Sequence, residues 1–245
     1  MEHDEVRSLE VALLDTWPGL QAQSVGGWHL AAAAGVTGRA NSVTVLDADE
    51  ADLERRIDEV ESWYRQRRLR PRFRLTPLSE PSLGARLQAR GYGDRNGLTD
   101  TLVLASLGTR ARAAPDVSIT SVIEQQWWAL TERPTHEHAT LTEMVAPLGD
   151  RAGYATLDHD GRAVAVGTAA VSGPRATVAN LHTQPADRGQ GHGRAVLDAL
   201  HRWAHDRGAT SAFLNVRHDN TAAQRLYQSA GYTFAYSYRY LEAPA

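Results

Sequence analysis

The sequence predicts an α/β fold, a sheet sandwiched between helices, present as two tandem copies. Three observations predict it. Strand-like apolar runs alternate with segments of helical periodicity along the whole 245-residue chain. The stretch Ser106 to Pro115 (SLGTRARAAP) has the small, Gly- and Pro-bearing, aperiodic character of a linker between two such regions. Phe73-Arg-Leu followed by Leu87-Gln-Ala-Arg-Gly91-Tyr92 also lines up with Phe213-Leu-Asn followed by Tyr227-Gln-Ser-Ala-Gly231-Tyr232 at a constant offset of 140 residues. The expected organisation is a first domain over 1–108, a linker at 109–115 and a second domain over 116–245.

In the first half the pattern gives strands at 28–34 and 41–46, a helix over about 50–68, a strand at 72–76, a short helix at 81–90 and a strand at 99–105. The second half repeats the order. It gives a strand at 117–120, helices near 123–131 and 135–147, strands at 153–157, 163–171 and 177–183, and a helix from about 191 to 206. A strand at 212–216, a helix at 221–230 and a strand at 232–241 complete it. The helix at 191 shows its apolar face at Val196, Leu197, Leu200, Trp203 and Ala204, the spacing of a helix packed on a sheet. Gly91 and Gly231 stand where helix stops are needed.

Composition narrows the chemistry. Hydrophobic residues make up 42% of the chain, enough for real cores. There is no cysteine, which removes disulfides, thiolate metal sites and cysteine nucleophiles and is consistent with a reducing cytoplasm. No run approaches the length of a membrane span, and the acidic start Met1-Glu2-His3-Asp4-Glu5 is unlike a secretory signal. Net charge is −3, and 14 Arg face 16 acids up to residue 110 against 12 and 13 after it. Neither half has a nucleic-acid-binding balance. The expectation is a cytoplasmic protein, monomer or homodimer, with neither nucleic acid nor membrane as partner.

The segment Arg188-Gly189-Gln190-Gly191-His192-Gly193-Arg194 joins a strand ending before Pro185 to a long amphipathic helix. That is a design for an anion. Glycines let the backbone approach a ligand, and first-turn helix amides without intrahelical acceptors point along the axis together with the helix dipole. Arg188 and Arg194 add positive charge at the rim. A dinucleotide fingerprint would need glycine at position 196, which is Val196, and a P-loop would need a lysine, of which the chain has none.

Strand, then [RQ]-x-x-G-x-[GA], then helix, matched by Arg188, Gly191 and Gly193, resembles the GNAT superfamily of N-acetyltransferases. The family's second motif, N-x-x-A-x-x-x-Y-x-x-x-G-[FY], is matched by Asn220, Ala223, Tyr227, Gly231 and Tyr232, about 27 residues past the loop. Asn220 stands at an N-cap, and Ala223 and Tyr227 share a helix face one turn apart. The resemblance implies a GNAT-like mixed sheet flanked by helices, with acetyl-CoA (coenzyme A) as cofactor. The backbone from Arg188 to Arg194, through Gly189, Gln190, Gly191, His192 and Gly193, would wrap its pyrophosphate. Leu181, His182 and Thr183 would pair with the pantetheine arm, in a gap where two parallel strands stop pairing, and Asn220, Ala223 and Tyr227 would complete the cofactor set. It assigns Tyr227 as the general acid that protonates the leaving thiolate, with an amide of 181–183 polarising the acetyl oxygen.

The general base stays open. The strand before the loop offers Asn180 and His182 but no carboxylate, and His182 has a suitable ordinary pKa. Further acceptor-side candidates are Trp127, Trp128, His136, Glu137, His138 and Glu143. No metal is expected: His136 and His138, two residues apart on a helix, face apart.

At the 140-residue offset the loop falls on Ala48-Asp49-Glu50-Ala51-Asp52-Leu53 and Tyr227 falls on Leu87. Acids stand where a diphosphate would lie, and the phenol is gone. The first half is thus expected to be a degenerate, silent GNAT-like copy without a cofactor loop. The functional expectation is an acetyl-CoA-dependent N-acetyltransferase acting on a primary amine of a small molecule or protein. The rival is a non-catalytic acyl-CoA-binding or regulatory module, which would have no use for Tyr227.

Overall fold

A computed structural model describes residues 1–47, 52–108, 116–131 and 133–244. The expected linker, 109–115, and positions 48–51 of the segment compared with the loop, Asp49 and Glu50 among them, lie outside the described residues.

In chain order the elements are α1 (His3–Thr16), β1 (Gln21–Val25), β2 (Trp28–Ala32), β3 (Val43–Val45), α2 (Leu53–Gln66), β4 (Arg72–Leu75), α3 (Leu83–Ala89) and β5 (Gly93–Leu104). Then follow β6 (Val117–Thr120), α4 (Gln125–Thr131), α5 (Thr135–Val145), β7 (Ala152–His159), β8 (Arg162–Ser172), β9 (Arg175–Thr183), α6 (His192–His205), β10 (Ser211–Arg217), α7 (Thr221–Ser229) and β11 (Thr233–Glu242). The α/β class expected from periodicity holds, and every expected strand and helix has its counterpart. Two elements were not anticipated. In α1 the signal exists, because Val6, Leu9 and Leu13 recur at helical spacing and are buried. In β1 it does not: four of its five residues are exposed, and only pairing with β2 makes it a strand.

The residues group into two compact units: Met1–Thr101 with Arg217–Asp219 and Ala235–Ala245, and Leu102–Val216 with Asn220–Phe234. The units follow chain order except at three short segments. The turn Arg217–Asp219 and most of β11 sit with the N-terminal residues, and the last three residues of β5 sit with the C-terminal ones.

In the first unit the strand order is β1-β2-β3-β4-β11, antiparallel except for the parallel pair β3–β4. Ile57, Val60 and Tyr64 of α2 and Leu83 and Leu87 of α3 share a core with Trp28, Leu30, Val43, Phe73 and Leu241 of the strands. One buried ion pair is built into this unit. Arg74 donates to both carboxylate oxygens of Glu10 at 2.8 Å, Tyr236 donates to the same carboxylate at 2.5 Å, and the guanidinium lies 3.3 Å from the Tyr238 ring centre. Such a pair fixes partners more than it adds net stability, because desolvation opposes the Coulomb gain.

In the second unit the strand order is β6-β7-β8-β9-β10, antiparallel until the parallel pair β9–β10. The apolar face of α6, Val196, Leu197, Leu200 and Ala204, is buried against β7–β9, with Trp203 partly buried beside it. Gly153 and Gly167 make room for it: a Cβ at Gly167 would lie 2.9 Å from Leu200 and Val196, and one at Gly153 2.6 Å from Trp203. Residues of opposite parity, Tyr154 and Thr168, therefore face away from α6, and Trp127 of α4 meets Tyr154 on that side. The two helix stops expected from the repeat share one geometry. Gly91 (φ +86°) donates to Gln88 and Gly231 (φ +92°) to Gln228, and Tyr92 and Tyr232 close the same turns.

His201 of α6 is buried, shares a 2.8 Å hydrogen bond with Tyr232, and is pushed down to about 4 by that burial. Its folded-state pKa is depressed, so the contribution is complete above the unfolded value near 6.5 and is lost as pH falls from there toward 4. Urea unfolding at pH 7 and pH 4.5 should show His201→Gln losing roughly 2–3 kcal/mol less than wild type over this interval. Equal losses would remove His201 as the cause.

Candidate active site

The site grows from an irregularity in β9. Val166 pairs with His182 but Thr168 pairs with Ala179, so β9 carries one extra residue opposite Gly167. That residue is Asn180, whose φ of +54° is a left-handed conformation that asparagine tolerates. Past the bulge Leu181 packs toward Val196 and Leu200, whereas His182 follows the parity of Val166 and faces away from α6. The Gly167 carbonyl opposite the bulge accepts a hydrogen bond of 3.3 Å from the Trp127 indole.

The second irregularity is a splay. The parallel pairing of β9 with β10 runs from Arg175↔Ser211 to Val178↔Leu214 and stops, although β9 continues to Thr183 and β10 to Arg217. The two strands part, as the resemblance implied, and they do so after Val178 and Leu214. Into the opening face the loop after β9 and the start of α7, enclosing a groove of about 600 Å³. It is lined by Leu181, His182 and Thr183 of β9, by Asp187, Arg188, Gly189, Gly191, His192, Gly193 and Arg194 of the loop, and by Asn220, Ala222, Ala223, Leu226 and Tyr227. Gln190 is exposed and does not line it.

The loop is shaped to present amides. Gly191 caps α6 at φ +85°, a conformation costly for any residue with a Cβ. The first helical bond runs from Ala195 N to Gly191 O, at 3.0 Å, leaving the amides of His192, Gly193 and Arg194 without carbonyl acceptors among the described residues. Gly193 is needed for closeness: a Cβ there would lie 3.3 Å from Thr183 Oγ1. Arg194 lines the rim as expected and is held there by Asp198 at 2.9 Å and by the Ser229 carbonyl at 3.2 Å. Arg188 donates through Nε to Thr183 O at 3.1 Å and braces the turn.

Sequence reading missed Asp187, which lines the groove and is bound bidentately by Arg162 at 2.9 and 3.0 Å. That hydrogen bonding holds the Asp187 carboxyl below the usual range. The pairing neutralises an acid beside an anion site, and no local signal shows it, because Arg162 is 25 residues away in the β7–β8 hairpin. Ala222 and Leu226, the other missed lining residues, follow from the helical spacing of Ala223 and Tyr227.

Asn220 accepts from Ala223 N at 3.2 Å and caps α7 as its position implied. Tyr227 is 8% exposed, touches the Tyr232 ring edge-on at 5.8 Å, and is pushed up to about 12 by burial. Its hydroxyl makes no hydrogen bond to a described residue. The Nε2 atom of His182 and the hydroxyl of Thr168 are buried without partners among the described residues. The aromatic candidates cluster: Trp127 is buried, meets Trp128 at 5.4 Å, and Trp128 stacks on His138 at 4.1 Å. His136 and Glu143 are exposed on α5 and join neither this cluster nor the groove.

Residues 3–241 match the family described as "Probable histone acetyltransferase Rv0428c C-terminal". The chain belongs to this family of GNAT N-acetyltransferases. It is 27% identical over 243 residues to a Bacillus subtilis protein named "Uncharacterized N-acetyltransferase YobR", covering 94% of this chain and 95% of that one. It is 30% identical over 251 residues to the "Probable histone acetyltransferase Rv0428c" of Mycobacterium tuberculosis, covering 97% and 74%. Among solved structures, a GCN5-related N-acetyltransferase from Kribbella flavida superposes with a TM-score of 0.76 at 17% identity, over 98% of this chain and 95% of that one, a likeness of fold. This GNAT chain is thus an N-acetyltransferase by family, and no helix among its described residues is long and apolar enough to cross a membrane.

Proposed function

We propose that this N-acetyltransferase binds acetyl-CoA in the splayed groove and transfers its acetyl group directly to a primary amine, with Tyr227 as proton donor. The observation that carries the reading is a phenol without a hydrogen-bond partner among the described residues, on the wall of a groove whose other walls are a loop of amides and a strand edge that likewise lack partners among them. The residues fit the cofactor: three free first-turn amides and the close approach at Gly193 suit a pyrophosphate, and the edge of β9 past Val178 suits the amide-bearing pantetheine arm. Acetyl-CoA supplies the activated acyl group, a thioester with a thiolate as leaving group.

What the chain's own groups do follows from their surroundings. With its pKa at about 12, the Tyr227 hydroxyl keeps its proton at neutral pH and is available to donate it. His182 lines the same groove, its buried Nε2 without a partner among the described residues, and we assign it the proton taken from the amine. The backbone amides of 181–183 supply the electrophilic contact for the acyl oxygen. Trp127, Trp128 and Asn180 belong to the acceptor side, where the amine of a small molecule or of a protein enters. The catalytic set falls wholly within 116–245. Residues 1–108 form a second, silent copy, a reading supported by the matched helix stops and by Leu87 at the place of Tyr227.

Thermal or urea unfolding with and without acetyl-CoA tests the cofactor. A hundredfold excess over the dissociation constant should stabilise the protein by about 2.7 kcal/mol. An unchanged transition would end the assignment.

A further inference from the structure

The groove is built for an anion, yet its described lining holds one acid, Asp187. That residue directly precedes Arg188, the first residue of the loop, and is 6% exposed. Arg162, the first residue of β8, donates to both of its carboxylate oxygens, at 2.9 and 3.0 Å. Of the two arginines that line the groove, Arg194 is paired with Asp198 and Arg188 binds the Thr183 carbonyl, so the charge of Asp187 is met by Arg162. The β7–β8 hairpin backs the loop at two further places within the same unit. The Gln184 amide donates to Val164 O at 2.9 Å, and the His159 ring lies 5.1 Å from the His192 ring. Removing the arginine side chain therefore takes a charge away and leaves both of these contacts standing.

A carboxylate on the wall of a groove repels a diphosphate held in it, and salt screens a buried charge less than an exposed one. Truncating one partner of such a pair leaves the other charge uncompensated, whereas neutralising both leaves a neutral wall. We propose that Arg162 sets the charge of the acetyl-CoA groove: by neutralising Asp187 it lets the loop keep a buried acid at its base and still accept a diphosphate. The inference rests on the groove holding acetyl-CoA, as argued above. Arg162 is not among the lining residues and acts through Asp187, so it is a positioning residue and not a catalytic one. Its bidentate bond also ties the base of the loop to the hairpin, and the experiment has to separate that tie from the charge.

The test is a set of acetyl-CoA dissociation constants by calorimetry at low and high salt, with steady-state kinetics alongside. The proteins are wild type, Arg162→Gln, Arg162→Lys, Asp187→Asn and the double variant Arg162→Gln/Asp187→Asn. Arg162→Gln should raise Kd and KM roughly tenfold at low salt and less at high salt, while saturated kcat moves less than about twofold. Arg162→Lys keeps the charge without the fork and should stay within about threefold of wild type. The double variant, with two neutral amides in place of the ion pair, should return to within about threefold of wild type. Because the Arg162 side chain is 59% exposed, Arg162→Gln folds, and its melt should stay close to wild type. Asp187→Asn alone should bind acetyl-CoA as tightly as wild type or more tightly. An Arg162→Gln Kd within about twofold of wild type would overturn the proposal. A double variant as weak as Arg162→Gln, or an Asp187→Asn weaker than wild type, would show that the pair holds shape and would overturn it too. Wild type failing to bind acetyl-CoA would overturn the cofactor reading as well.

Discussion

Replacing Tyr227 by phenylalanine is expected to lower kcat by about 10²–10³-fold, with the acetyl-CoA dissociation constant within about twofold of wild type. The change is confined to chemistry by the way the side chain is held. The ring keeps its edge contact with Tyr232 and its place beside Leu226, and the hydroxyl has no hydrogen bond to lose among the described residues. Stability should therefore change by less than about 1 kcal/mol. Free-thiol release from acetyl-CoA against a panel of amines is the measurement, and the same panel identifies the acceptor class. The pH profile adds a sign. Burial holds the Tyr227 phenol at about 12, so wild-type activity should not fall with loss of that proton below about pH 11. Equal rates for the two proteins would remove Tyr227 as the acid, and a non-catalytic acyl-CoA-binding module would release no thiol with any amine.

Ending the chain after Phe234 should unfold the first unit, although the cut lies more than a hundred residues downstream of most of it. Residues 235–244 supply β11, which pairs with β4 from Arg239↔Leu75 to Glu242↔Arg72. They also place the fully buried Leu241 in the core with Phe73, Tyr64 and Trp28. Tyr236 is a partner of the buried Glu10–Arg74 pair, Tyr238 covers the guanidinium, and Ser237 holds Asp100. Losing one large core side chain costs about 2–5 kcal/mol, and stripping partners from a buried ion pair costs as much again. The sum, about 4–10 kcal/mol, is comparable to the whole stability of an ordinary domain. Limited proteolysis should cut the truncated protein within 1–101, and its melt should lose cooperativity. A truncated protein with a wild-type melt and protease resistance would show that β11 is dispensable.

The sequence by itself determined the α/β class, the order of all but two elements, the anion-binding loop and the α7 motif. These are legible because each is local: a period of two or 3.6, a glycine where φ must be positive, an asparagine one turn before the amide it caps, and a tyrosine on the helix face set by Ala223. The repeat at 140 residues was legible for the same reason, since the stop after α3 and the stop after α7 are made by neighbouring residues. Only the tertiary structure decided which unit β11 joins, because Gly-Tyr followed by an alternating strand reads the same whichever partner it pairs with, and register against β4 leaves no mark in β11 alone. The bulge at Asn180, the Arg162–Asp187 pair and the Asp100–His218–Ser237 tie are likewise products of pairing between segments 13 to 137 residues apart. A hydrogen bond between distant segments constrains neither residue's local conformation, so nothing in either segment announces it before the chain has folded.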